Sequence, residues 1–491
     1  MIDIGSKEIK RQENFWSNCL FHPTDAIEDP WGKRILDQMA ADKAIRTVRI
    51  YAMLEDIVYL DPDGKIAYDF RLNDLRLDYL IEKGYDLLIA YAGMPDVIAA
   101  STKNLTSVSK NKTRYKGKMF NTSPPKDYRI WEEVCFEYTR HLIERYGIDT
   151  VSGWRFQCFN EPDIPAFFMS ELPGGCDTER AEAYCRMYEG FTKGVSRASE
   201  KLKRGGPALA WRIEFLGMLL DYVRERKLRL DFISLHNYGV TPEELNSGTK
   251  SISVSNNLRK HERYMQTIRD HGFGNSEIVI DEWGAASAGF FNREECPALI
   301  FRETEVFSAY FARLIHSFIY SEYNISNLII CLSGQHEMTE DFSGFRNFFT
   351  LNFIKKPIYN AFILASKLGE SLLECKNGEK NVHVIPTKTK NGNYAVLLSY
   401  SDEYFTEDIP EKEITVHFGN EFSGGYAEIT RIDKTSANPY NLSRSLGITA
   451  PNVDEIALLR AEGEMKPQKI EVTSGSVTLT LTPNCTCLIV L

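Results

Sequence analysis

The chain has 491 residues, of which 43% are hydrophobic and 26% charged, a mixture that supports a large apolar core and argues against disorder. With 58 Lys and Arg against 68 Asp and Glu, the formal charge is −10, which argues against a general nucleic-acid binder. No run of 18 apolar residues occurs, so a conventional membrane-spanning helix is excluded.

In chain order, residues 1–12 alternate charges with Ile and carry no apolar secretory core, so the expected location is cytoplasmic. Segment 2–9 reads either as a tail or as a strand that joins a C-terminal domain. From 14 to 370 a pattern of short apolar run, loop and amphipathic helix repeats. The strands are expected at 15–20, 47–51, 86–91, 153–159, 206–210, 232–237, 277–281 and 327–332. Between them, helical periodicity covers 31–42, 70–83, 128–146, 179–202, 214–225, 256–270 and 298–320, with a last helix at 356–368. Eight nearly all-apolar strands, each followed by a helix, predict parallel strands buried on both faces and a (β/α)8 barrel, an α/β fold. A dinucleotide-binding sheet would need a glycine-rich loop after the first strand, where Phe21-His22-Pro23-Thr24 stands instead. After Gly369 the period changes to two, at 381–386, 393–400, 413–418, 425–431, 468–472 and 477–481, which predicts a β-sandwich accessory domain over 371–491. That domain either braces the barrel or mediates homo-oligomerisation. The 10 Cys never form CxxC, and Cys485 and Cys487 share one face of a strand, so free buried thiols are expected.

Chemistry concentrates at strand ends. The run Trp154-Arg155-Phe156-Gln157-Cys158-Phe159-Asn160-Glu161-Pro162 closes the fourth strand with a glutamate, and Pro162 fixes the exit of the chain. The run Ile278-Val279-Ile280-Asp281-Glu282-Trp283-Gly284 closes the seventh in the same way. Barrel active sites lie at the carboxyl ends of the strands, where these two glutamates can face each other across the mouth. Carboxyl groups about 5 Å apart suit a retaining glycosidase and about 6.5–9.5 Å an inverting one, a choice that spacing along the chain leaves open. Between them, His236 and Tyr238 lie two apart on the sixth strand and are expected to donate hydrogen bonds to Glu282. Trp283, Tyr238, Phe167 and Phe168 could offer apolar faces to a sugar. Lys103, Lys110, Lys112, Arg114, Lys116 and Lys118 form a basic loop, read as a solvated face or as a contact for an acidic sugar. His336-Glu337 and His316 lack zinc-ligand spacing, and GxSxG and P-loop motifs are absent, so no metal or organic cofactor is expected.

Residues 154–162, Gly205-Gly206-Pro207-Ala208 followed by Trp211, 231–238, 280–284, Phe342-Ser343-Gly344-Phe345 and Lys356-Pro357-Ile358-Tyr359 together resemble glycoside hydrolase family 39, the retaining β-xylosidases and α-L-iduronidases. The resemblance implies Glu161 as acid/base, Glu282 as nucleophile, Asn160 as the holder of the sugar 2-hydroxyl, and His236, Tyr238 and Arg49 as supporting groups. Without a secretory segment, an exo-acting enzyme on small imported oligosaccharides or glycosides is expected, and the charge and the lack of a long apolar run leave no nucleic acid or membrane as partner. Phe159 stands where the family has Trp, Arg49 is followed by Ile50-Tyr51, and the eighth strand reads Ile329-Ile330-Cys331-Leu332-Ser333-Gly334-Gln335 without a Trp. The sugar-selecting pocket therefore differs, which leaves Phe167, Phe168 and His336 as subsite candidates. The sugar is expected to be xylose, with a uronic acid, arabinose, glucose or galactose as alternatives. A binding protein without turnover is the remaining class.

Overall fold

The computed structural model of the chain describes residues 1–491 apart from 12, 107–118, 173–176, 288, 290, 333–337, 339, 420, 421 and 423, and apart from the side chains of 24 and 25. Strand β1 (Ile2–Arg11) precedes the barrel strands β2 (Asn18–Leu20) and β3 (Thr47–Tyr51). A hairpin of β4 (Val58–Leu60) and β5 (Ile66–Tyr68) lies in the loop after β3. The barrel continues through β6 (Asp86–Tyr91), β7 (Arg155–Cys158), β8 (Lys203–Leu209), β9 (Phe232–Val240), β10 (Glu277–Ala286) and β11 (Ile325–Cys331), with all neighbours parallel. Pairing of β11 with β2 closes the ring, so eight expected strand regions become one barrel. Its interior is filled by Leu20, Leu88, Phe232, Val279 and Ile329, one inward side chain from each of five strands, in keeping with the alternation of a pleated strand. Gly205 is required at β8, because a Cβ there would stand 2.2 Å from the Phe232 carbonyl oxygen of the next strand.

Helices pack the outside. One expected helix divides in two: the 3-10 segment Pro297–Glu303 ends at Thr304, whose extended backbone and side-chain acceptor cap a separate helix, Glu305–Ile319, through Val306 N–H. The last barrel helix is Pro357–Ser366.

The remaining strands are β12 (Ser371–Asn377), β13 (Val382–Lys388), β14 (Tyr394–Tyr400), β15 (Lys412–His417), β16 (Tyr426–Ile432), β17 (Gln468–Glu471), β18 (Ser476–Leu481) and β19 (Cys485–Val490). Sequence periodicity misses β12, touches β19 only through the Cys485 and Cys487 pair because β19 is apolar at nearly every position and shows no alternation, and misses the helices Pro439–Ser445 and Val453–Glu462. These strands form one sheet in the order β17-β16-β19-β14-β13-β12-β1-β15-β18. Leu398 of β14, Val416 of β15 and Leu479 of β18 share one core, so the sheet folds over itself as a sandwich. Strand β1 runs antiparallel to β12 and, through Ile2 and Asp3, parallel to β15, so it joins the two halves. The opposite face of β14 packs on the barrel: Leu397 and Leu488 belong to the barrel's own core cluster, and Ser399 Oγ donates to Ala309 O of the helix Glu305–Ile319. The nine described cysteines are all free, and no described helix is long and apolar enough to cross a membrane.

Candidate active site

The carboxyl ends of the strands open into a cavity of about 600 Å³, a size that suits a small-molecule site. Glu161 reaches it from the loop directly after β7. The backbone there is strained: Phe159 and Glu161 have φ of 65° and 47°, a region that costs a non-glycine residue about 1–3 kcal/mol. A hydrogen bond from Glu161 N–H to Ala208 O, 3.1 Å, helps to hold the turn. Asp163 fixes the facing loop by accepting three backbone N–H groups, from Ala210, Trp211 and Arg212, at 2.8–3.0 Å.

Glu282 reaches the cavity from β10. In a regular strand Asp281 and Glu282 would point to opposite faces. The pairing of β10 with β9 shifts register between Ile280 and Glu282, leaving Asp281 as an extra residue, and this bulge turns both carboxylates toward the site. Arg49 of β3, fully buried, binds both: its Nη1 lies 3.1 Å from Glu282 Oε1 and its Nη2 3.2 Å from Asp281 Oδ2. Arg49 also donates to Asn160 Oδ1 at 2.7 Å and to Gln157 Oε1 at 2.9 Å, while Gln157 donates to Asp281 Oδ2 at 2.6 Å. One guanidinium thus ties β3, β7 and β10 together beneath the mouth, using the donor fork that lysine lacks.

His236 and Tyr238 share a face of β9, as their spacing of two requires. Tyr238 Oη donates to Glu282 Oε2 at 2.7 Å, and Arg346 Nη1 donates to Tyr238 Oη at 2.7 Å. His236 differs from the sequence expectation. Its Nδ1 lies 2.9 Å from Glu161 Oε1, and its Nε2 faces Asp281 and Glu282 at 3.6 and 3.7 Å, outside good hydrogen-bond range. The ring therefore bridges the two glutamates rather than serving Glu282 alone. Burial disfavours its charged form, yet Glu282, Asp281 and Glu161 overcome that and raise its pKa to about 10.

Two chemically identical side chains are thereby driven apart. Burial would raise the pKa of Glu282, but His236, Arg49, Arg346 and the Tyr238 hydroxyl hold it below the usual carboxylate range. Burial also raises Glu161, and His236 offsets this only in part while Glu282 adds to it. One carboxyl is kept as an anion and the other as an acid. One oxygen of each and a His236 nitrogen lie within 4.8 Å of one another. That spacing also suits a metal ion, but Arg49 and the imidazolium already supply the positive charge such an ion would bring.

The remaining candidates divide. Phe167 lines the cavity, whereas Phe168 is fully buried against Phe159 and Tyr184. Trp283 offers no face to a ligand: it is 1% exposed and stacks on Phe311 outside the barrel, because the residue after Glu282 points to the helical layer. Lys103 is exposed, and Lys110, Lys112, Arg114, Lys116, Lys118 and His336 lie outside the described residues. Arg346, Asp281, Gln157, Cys331 and Lys260 were not singled out by the sequence. Only Asp281 and Gln157 carried a signal, as polar residues inside otherwise apolar barrel strands.

Residues 2–477 match the family described as Glycosyl hydrolases family 39. A β-xylosidase of Caldicellulosiruptor saccharolyticus is 25% identical over 495 residues, covering 97% of this chain and 94% of that one. A β-xylosidase of Geobacillus stearothermophilus is 26% identical over 421 residues, covering 81% and 76%. The crystal structure of a monomeric β-xylosidase from Caulobacter crescentus superimposes with a TM-score of 0.82 at 18% identity, covering 100% of this chain and 98% of that one, a likeness of fold.

Proposed function

This chain belongs to glycosyl hydrolases family 39 and is an O-glycoside hydrolase, and from that premise we propose that it releases a terminal β-xylosyl residue from small glycosides with retention of configuration. One observation carries the stereochemistry. One oxygen of Glu161 and one of Glu282 lie within 4.8 Å of each other, a close approach that supports a retaining pair, whose carboxyl groups stand roughly 5–5.5 Å apart. The opposed pKa directions support the division of labour.

Glu161 gives its proton to the glycosidic oxygen as the bond to the anomeric carbon breaks, and a Glu282 oxygen bonds to that carbon. The leaving group departs as a neutral alcohol, and an ester links the sugar to Glu282. Glu161, now ionised, takes a proton from water as the water oxygen attacks the anomeric carbon and the Glu282 carboxylate leaves. His236, held at Glu161 Oε1, leaves the other oxygen to carry the proton. Arg49 and Tyr238 fix the two Glu282 oxygens, and Asn160, oriented by Arg49, is available to a sugar hydroxyl. The free thiols support a reducing compartment, hence the cytoplasm.

A second reading, a uronic-acid glycone, is favoured by Arg346, a cation lining the Glu282 side of the cavity. Aryl xyloside, arabinoside, galactoside, glucoside and iduronide compared on kcat/KM decide between the sugars, and xyloside is expected to lead. Proton NMR of the first sugar formed is expected to show retained configuration. An inverted first product, or no turnover of any glycoside, would overturn the mechanism.

A further inference from the structure

The proton donor must stand at the leaving-group oxygen, so the part of the substrate that departs lies on the Glu161 side of the cavity, away from Glu282. That wall is built by the loops after β7 and β8 and by the helix Val254–Asp270 after β9, and it presents Phe167, Trp211 and Lys260. Trp211 is 54% exposed, unusual for the largest apolar side chain, and the three backbone bonds accepted by Asp163 hold its loop. Lys260 is drawn in from solvent far enough that burial lowers its pKa to about 8. Its Nζ donates to Ala210 O at a long 3.3 Å and lies 5.8 Å over the Tyr264 ring, and Asp163 and Glu161 act on it electrostatically without forming an ion pair with it. The anions nearby are committed elsewhere: Asp163 to backbone N–H groups, Glu244 to Lys250 at 2.5 Å and to Thr241 N–H, and Glu161 to the proton it must deliver. Burial outweighs the pull of Asp163 and Glu161, so an ammonium withdrawn here gains from a counter-charge in direct contact.

Resting on the glycosidase reading above, we propose that Trp211 and Lys260 form a leaving-group subsite for a ring that bears an anionic substituent, a carboxylate, sulfate or phosphate. The ring stacks on the indole and the anion reaches the ammonium, so the favoured substrates are glycosides of acidic sugars or acidic phenols.

Two measurements separate this proposal from the sugar reading. The β-xylosides of 4-hydroxybenzoate and 4-hydroxybenzamide are near-isosteric and differ in charge. Their kcat/KM ratio is expected to favour the carboxylate about tenfold in the wild type, as one charge-assisted hydrogen bond implies. It should collapse to about one in Lys260→Gln and return in Lys260→Arg. A 4-hydroxybenzenesulfonate xyloside tells a carboxylate preference from one for any anion. The free phenols are then titrated by quenching of tryptophan fluorescence, with Trp211→Leu as the control that abolishes the signal. If xylosides are not turned over but hydroxybenzoate still binds about tenfold tighter than hydroxybenzamide, the sugar reading fails and the subsite stands. Equal binding of the two phenols, or a preference unchanged in Lys260→Gln, overturns the subsite.

Discussion

At the residue scale the chemistry rests on an asymmetry imposed on two glutamates. The kcat/KM profile is expected to be bell-shaped. Its acid limb reports protonation of Glu282 and lies below the usual carboxylate range, and its alkaline limb reports deprotonation of Glu161 and lies above it. Tyr238→Phe removes a donor from the Glu282 anion alone, so the acid limb should rise by about one pH unit while the alkaline limb stays near its place. A shift of the alkaline limb instead would reassign the pair. Glu161→Gln is expected to lower kcat by about 10²–10⁴ on alkyl glycosides and far less on dinitrophenyl glycosides, whose leaving group needs no proton. Glu282→Gln should abolish turnover of both with the melting temperature little changed. Both glutamates are legible in the sequence, because two of them each close an apolar strand beside a rigid or aromatic residue, whereas one alone would read as an ordinary strand end. Arg346 and Lys260 are not, because a loop arginine and a helix lysine match the ordinary pattern of a solvated surface.

At the element scale, the alternation of apolar runs and amphipathic helices is legible because both faces of each barrel strand are buried, and every expected strand region finds its place. The bulge in β10 is not legible, since a strand buried on both faces has no alternation for an extra residue to break, so Asp281 stands out as polar but its direction does not follow from the sequence. A second buried pair positions the pocket from a distance. Lys356 Nζ lies 2.7 Å from Glu303 Oε1, with both side chains at most 1% exposed. Lys356 also donates to Phe345 O at 3.0 Å, and Glu303 Oε1 accepts Gly344 N–H at 2.7 Å, so the pair anchors the loop that delivers Arg346. Lys356→Met leaves a buried carboxylate without its cation and should cost about 3–5 kcal/mol by urea denaturation. The Glu303→Gln/Lys356→Met double variant should regain most of that loss. If KM stays at the wild-type value in the double variant, the loop does not depend on the pair.

At the scale of the whole molecule, the sandwich is an extension of the barrel's packing. Its sheet has two apolar faces: one closes on itself around Leu398, Val416 and Leu479, and the other covers the helix Glu305–Ile319. Only the first face resembles an independent domain, which explains why a boundary near 370 looks natural in the sequence while the contact across it does not. Strand β1 is the extreme case. Ten residues that precede the barrel bury Ile2 and Ile4 in the sandwich core and lie between β12 and β15 in the sheet order. Removing residues 1–11 therefore severs the order between β12 and β15, the one place where β1 is the sole link, and unfastens β15 and β18 from the rest. The expected result is a fall in melting temperature and early proteolysis around β15–β18. Turnover per folded molecule should be kept, because the site draws on β2–β11 and the loops that follow them. Ending the chain at 370 is expected to be worse, since it uncovers the apolar side of Glu305–Ile319, and the fragment should be recovered as aggregate. A soluble, active 1–370 fragment would show that the barrel carries its own stability and that the sandwich is an appendage.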